Sequence, residues 1–297
     1  TQYKEHLSDF NNWNQKEHAE DFILYPKNIG YHLCIDETAL SKGELYTILT
    51  NRDKHGRKGT IVAIVKGTKA EDVINVLLKI DADKRNQVKE ITLDMAGSMQ
   101  KIAKRCFPGA MQVVDRFHVS KLVYEAVQDL RIAYRWQVMK DENRKIKEAK
   151  AKGESYEPKV FGNGDTLRQL LARSRYLLFK APDKWQQSQK VRAKLLFEQF
   201  PDIKSVYYYA LRLGKIFSDY TDKDVARAKL ALWYNEIEEF GYDTFTTVAN
   251  SIENHYERIL NYFVNRSTNA AAEAFNAKIK AFRASFRGVV DKRFFLY

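Results

Sequence analysis

The feature that most constrains this chain is a change of periodicity near residue 115. Before it, short β-forming runs alternate with amphipathic stretches; after it, strand patterns stop. Residues 31–36 are a short apolar run that ends in carboxylates, and residues 45–50 are rich in β-formers. The charged segment 51–59, with Gly56 and Gly59, predicts a hairpin loop, and residues 60–65 predict the returning strand. Thr68 and Glu71 have capping-box spacing and predict a helix start, with Val73, Ile74, Leu77 and Leu78 on one face. Residues 88–94 predict a fourth strand, which also closes on a carboxylate. A helix through Met99, Ile102 and Ala103 stops at Pro108-Gly109, and residues 111–115 predict a fifth strand. Strands joined by short loops predict an antiparallel meander, and strands separated by helices predict parallel additions. The expected fold class is α/β: a mixed sheet flanked by helices.

The first thirty residues show no strong period and read as a lead-in or a short helix. From residue 118 to 263 the pattern is helical, as in Leu122, Val123, Ala126, Val127 and Leu130. Residues 140–152 are charge-dense and read as a solvated helix face. Pro182 and Pro201 suit helix first turns, and further helices fit residues 225–240 and 244–263. Ser267 or Thr268 can then cap a helix on which Asn269, Glu273, Asn276 and Lys280 form one polar stripe. Ala271, Phe275, Ile279 and Phe282 form an apolar stripe on the same helix.

Charge narrows the partners. Fifty Lys and Arg against 38 Asp and Glu leave +12, a field that draws polyanions, nucleic acid above all. No apolar run reaches the length of a membrane span and no secretory leader opens the sequence. The expected location is the cytoplasm. Cys34 and Cys106 are too few for a disulfide framework and read as buried free thiols. Six scattered histidines have no zinc-ligand spacing, which argues against zinc hydrolysis.

Asp36 and Asp94 each end a predicted strand. Either alone is an ordinary turn former. If the first and fourth strands are neighbours, both side chains emerge at one sheet edge, where open α/β sheets place their sites. Glu273 on a packed helix could add a third oxygen ligand. Three crowded carboxylates repel unless cations lie between them. Mg²⁺ suits the role, with oxygen ligands at roughly 2.0–2.1 Å. Two such ions about 3.5–4 Å apart clamp the attacking and leaving oxygens of a phosphodiester; Mn²⁺ can substitute.

Four segments carry a resemblance: Cys34-Ile-Asp36-Glu37, Ile91-Thr-Leu-Asp94-Met95, Val114-Asp115-Arg-Phe-His118-Val119 and Asn269-Ala-Ala-Ala-Glu273-Ala-Phe-Asn276-Ala-Lys278. Together they resemble the DDE transposases of bacterial insertion sequences, specifically the ISL-three family and its ISAon-type members from Bacteroidetes. The resemblance covers nearly the whole chain from Tyr31. It implies an RNase H-like fold with Asp36, Asp94 and Glu273 as the metal-binding catalytic triad. The organisation it implies is a lead-in (1–30), a first part of the catalytic core (31–117), a helical insertion (118–264) and a C-terminal core helix (265–297). It further implies transposon-end and target DNA as partners, a homodimer, and a separate N-terminal DNA-binding protein or region.

Around the triad, Asp115, His118, Asn269 and Asn276 are candidate supports, although Asp115 and His118 also suit a buried polar pair packing strand to helix. Glu37 reads as an outward neighbour of Asp36. Lys278, Lys280, Arg283, Arg287, Lys292 and Arg293 follow Glu273 as a candidate phosphate track. Arg131, Arg135 and Trp136 form a second candidate DNA contact, with the indole stacking on a displaced base. The plainer reading of Trp136 is a helix-packing anchor. Two other readings stand beside transposition: a nuclease of the same superfamily that cuts without joining, and a non-catalytic basic DNA-binding or assembly protein.

Overall fold

The computed structural model describes residues 3–41, 43–241, 243–268, 270–285 and 291–297. Six strands form one mixed sheet: β1 (Phe22–Leu24), β2 (His32–Ser41), β3 (Glu44–Asn51), β4 (Ile61–Lys66), β5 (Glu90–Leu93) and β6 (Met111–Val114), in the order β1-β4-β3-β2-β5-β6. β2, β3 and β4 are the expected antiparallel meander; β5 and β6 add in parallel to β2. Every residue of β5 is buried, as a strand between parallel or mixed neighbours with both faces covered must be.

Helix α1 (Ala70–Leu77) buries Val73, Ile74, Val76 and Leu77 and packs against α3 (Gly97–Cys106); the short α2 (Ala82–Asn86) links α1 to β5. The capping box expected at Thr68 does not form. The helix begins one residue later than that pattern requires, with Lys69 at the cap and no side-chain bond. Thr68 therefore stands one position too early to reach the amides of the first turn.

The lead-in also departs from expectation. Phe22–Leu24 is an edge strand, with Ile23 opposite Ile64. Three residues are too few to show a period. Phe10 is buried, with its ring edge-on to Phe294 (5.2 Å) and Tyr297 (5.6 Å). Trp13 packs against the core cluster of Ala19, Ile23, Tyr46, Ile48 and Ile64, so the lead-in contributes to the core of the first unit.

The chain divides into two compact units, Thr1–His118 with His255–Tyr297, and Val119–Asn254. The second is helical: it takes most of α4 (Arg116–Ala151), then α5 (Leu167–Arg173), α6 (Gln187–Gln199), α7 (Pro201–Asp219), α8 (Lys223–Phe240) and α9 (Asp243–Asn254). Its core includes Val127, Leu171, Leu196, Tyr207, Leu230 and Trp233. The Trp233 indole N–H donates to the Tyr209 carbonyl (2.9 Å), which gives its one donor a partner. The single helix expected over 244–263 is broken. α10 (Tyr256–Leu260) and α11 (Tyr262–Asn265) follow α9 as separate short pieces and fall in the first unit, before α12 (Ala270–Ser285) and α13 (Lys292–Leu296). The break is at His255, whose φ of −115° and ψ of 10° leave the helical region. No described helix is long and apolar enough to cross a membrane.

Candidate active site

The parallel ladder between β2 and β5 pairs His32 with Glu90, Leu33 with Ile91 and Cys34 with Thr92. Two residues further along each strand stand Asp36 and Asp94, level with one another. The next ladder pairs Leu93 with Val114, so Asp94 and Asp115 both follow the last paired residues. Three carboxylates thus sit at one level on three adjacent strands.

Asp36 does not end its strand, contrary to the sequence reading. β2 runs on to Ser41, with Asp36 opposite Ile48 of β3. The parallel partner stops at Leu93, but the antiparallel partner continues, so the chain stays extended. The polar residues from Asp36 to Thr38 hide this, because the apolar signal ends where the parallel pairing ends.

The Asp36 carboxylate is well held. Oδ1 accepts the Glu37 amide (2.8 Å) and Oδ2 accepts Nδ2 of Asn276 (2.7 Å). Burial raises its pKa; the Glu37 amide and nearby His118 pull it down, the Asp94 carboxylate pushes it up, and Asn276 pulls it down, with a net rise. Asp94 accepts the Ala96 amide at Oδ1 (2.8 Å), an Asx-type turn that leads into α3. Asp115 is buried; its Oδ1 accepts the Phe117 amide (3.2 Å), which caps the start of α4. That contact shapes the turn that leads into His118.

Glu37 is a residue that the sequence reading set aside. Burial raises its pKa, and Asp94 and then Asp36 raise it further, so it shares their field. Two consecutive acidic residues inside a strand were the available signal. Cys34, buried two residues before Asp36, feels the same charges: burial raises its thiol well above the usual range, with Asp36 and Asp115 adding to the rise.

α12 contributes Asn276, which is buried. Its amide donates to Asp36, while its Oδ1 is buried without a hydrogen-bond partner among the described residues. An acceptor left bare beside the Asp36 carboxylate is suited to a bound water or an ammonium. Asn269 and Arg287 lie outside the described residues, as does the side chain of Glu273. Among the described residues no three His, Cys, Asp or Glu groups gather closely enough to hold a metal. Asp36 and Asp94 offer a pair of hard oxygen donors, the chemistry that Mg²⁺ takes.

The candidate DNA contacts divide. Lys278 and Lys280 are exposed on α12, and the Arg283 guanidinium lies over the Phe295 ring at 4.8 Å. Lys292 pairs with Glu44 (2.7 Å) and Arg293 with Glu20 (3.0 Å), so both are neutralised within the fold. Arg131 is buried: its Nε donates to Gln128 and its Nη1 to the Leu171 carbonyl (2.9 Å). It is a packing arginine of the helical unit and presents no surface to DNA. Trp136 is 59% exposed, which overturns its reading as a packing anchor. Arg135 is half-buried.

A mixed sheet flanked by helices, with acidic residues on or just past its central strands, makes this strongly basic chain an α/β protein. The sequence matches the model of a transposase family, ISL-three, over residues 33–297. The chain belongs to that family; it binds DNA, and its function is in DNA transposition. Neither curated proteins nor solved structures yield a match.

Proposed function

We propose that this chain is the catalytic part of a DDE-type transposase of the ISAon kind, which cuts DNA at transposon ends and joins the 3′-hydroxyls to a target. The observation that carries the reading is the level placement of Asp36 and Asp94 on adjacent parallel strands, with Asn276 of α12 bonded to Asp36. Glu273 precedes Asn276 by three positions in the same helix, about one turn away. The sheet order, with an antiparallel meander followed by two parallel strands, supports an RNase H-like fold in which the helical unit Val119–Asn254 is the insertion, ten residues shorter at its end than the 118–264 expected from the sequence.

In this reading Asp36, Asp94 and Glu273 hold two Mg²⁺ ions, with Mn²⁺ as substitute. The bound ions supply charge neutralisation at the attacking and leaving oxygens of the phosphodiester. The protein's own contribution is orientation. Asn276 and the Glu37 amide fix both oxygens of Asp36, His118 favours its ionised form, and the Asx turn fixes Asp94. Two copies act on paired ends, with a separate region recognising the end sequence.

Thermal melting with and without Mg²⁺ or Mn²⁺ tests the ion site directly. Either ion is expected to raise the melting temperature of the wild type and to leave Asp94→Asn unmoved; an equal rise in both would place the ion elsewhere. Strand-transfer products on a DNA target separate joining from cutting alone, the outcome that a nuclease of the same superfamily would give.

Asn276→Ala removes a hydrogen bond that orients Asp36 without removing a carboxylate. Loss of such a partner typically lowers metal affinity or activity by roughly 10–100-fold. The expected signature is a weaker apparent Mg²⁺ affinity with DNA binding unchanged, read from cleavage rate against Mg²⁺ concentration.

A further inference from the structure

The helical unit carries a concentration of positive charge that the carboxylate site does not use. From Arg168 to Lys194 the sequence holds eight Lys or Arg against one acidic residue, Asp183. Two of the eight, Arg173 and Arg192, are neutralised by buried Asp165. Arg168 is exposed on the first turn of α5 and makes no ion pair among the described residues. It lines an open cavity of about 490 Å³ together with Arg135, Tyr156, Gln169 and Glu142.

Arg135 is the telling group. Among the described residues its buried Nε has no hydrogen-bond partner, and no carboxylate pairs with its guanidinium. Its charge acts on Arg131, as does that of Arg175. Arg131 makes its bonds to Gln128 and to the Leu171 carbonyl, and Arg175 lies over the Tyr176 ring at 5.4 Å. Burial, and then the charges of Arg135 and Arg175, lower the pKa of Arg131. Like charges therefore act on Arg131 from both neighbours, and none of the three makes an ion pair among the described residues. Glu142 is the one carboxylate among the residues lining the cavity, and it balances only one of two guanidinium groups. A buried guanidinium N–H without an acceptor is unfavourable unless something supplies one, and guanidinium pairs match phosphate oxygens in geometry as well as charge.

We propose that Arg135 and Arg168 form a phosphodiester-binding site on the helical unit, with Tyr156 beside it, which grips the DNA backbone without reading sequence. The site rests on the reading that DNA is this chain's substrate, and it belongs to the helical unit alone.

The test is fluorescence anisotropy of the full chain with labelled duplexes of two unrelated sequences, titrated at several salt concentrations. Each phosphate contact removed is expected to lower the slope of log K against log salt by about 0.9. Arg168→Gln should show one such step, and Arg135→Gln with Arg168→Gln roughly two, equally on both duplexes. The paired Lys substitutions should keep the wild-type slope. Arg168 is exposed and Gln is a good helix former, so the single variant gives a decision even if the double variant does not fold. A wild-type slope in Arg168→Gln would overturn this site while DNA binding stands. No binding by the wild-type chain would overturn both the site and the DNA reading.

Discussion

Asp94→Asn is expected to abolish DNA cleavage and joining while leaving DNA binding at the wild-type level. Asp36→Asn and Glu273→Gln should do the same. A carboxamide is neutral and loses most of its hold on a hard cation. Metal-ion catalysis supplies several kcal/mol, so the loss should be roughly a thousandfold or more. Asp94→Asn is the most informative of the three because Asn keeps the side-chain oxygen that accepts the Ala96 amide. The turn into α3 therefore survives. The substitution also removes a negative charge that raises the pKa of both Asp36 and Glu37. An acid whose native pKa is raised binds its proton more tightly when folded, so its ionisation destabilises the fold above that pKa and the penalty vanishes as pH falls through it. Without added cation, Asp94→Asn should therefore melt no lower than the wild type at neutral pH. Lost catalysis with kept or increased stability marks a group retained for chemistry. Full catalysis by the variant would refute the mechanism, and a large drop in melting temperature would mark Asp94 as structural.

Arg52→Ala is expected to destabilise the first unit by about 3–5 kcal/mol, the usual effect of stripping one partner from a buried ion pair. Glu90, the first residue of β5, has a side chain only 1% exposed; Arg52 lies 2.7 Å from it and also donates to Thr92 (2.8 Å). Asn265 donates to the other Glu90 oxygen (2.8 Å). Burial raises the Glu90 pKa, but Asn265, Ser267 and Arg52 outweigh it and leave the carboxyl below its ordinary range. Its contribution is therefore present above the unfolded glutamate pKa and lost as pH falls through the folded value. Urea unfolding of wild type and Arg52→Ala should show a gap that is full at neutral pH and closes in acid. A gap independent of pH would assign the effect to lost packing of the arginine stem.

The parts of the fold visible in the sequence were those with a repeating pattern. The meander, the alternation after it and the helical stretch all have enough residues to show a period. Phe22–Leu24 and the helix break at His255 do not. The candidate site could be named from the sequence as residue types: Asp36, Asp94 and Asp115 close apolar runs, His118 follows Asp115, and Asn276 lies on the polar stripe of its helix. How they meet was not legible. The extension of β2 past Asp36 depends on a partner strand, and the bond from Asn276 depends on packing across 240 residues of chain. Arg131 and Trp136 exchanged roles for a similar reason: five positions apart on one helix they face different surroundings, and only the neighbours decide which is buried.

The first unit is assembled from two stretches of chain that flank the second. A ribosome adding about 5–20 residues per second takes roughly 10–40 s to travel from Asp94 to Asn276. During that interval the two aspartates have left the ribosome without the helix that orients them, while the intervening helices can already be folding on local contacts. Competence in the chemistry proposed for this site therefore arrives late in synthesis, and a nascent chain carries its acidic residues in a form not yet able to act on the chromosome.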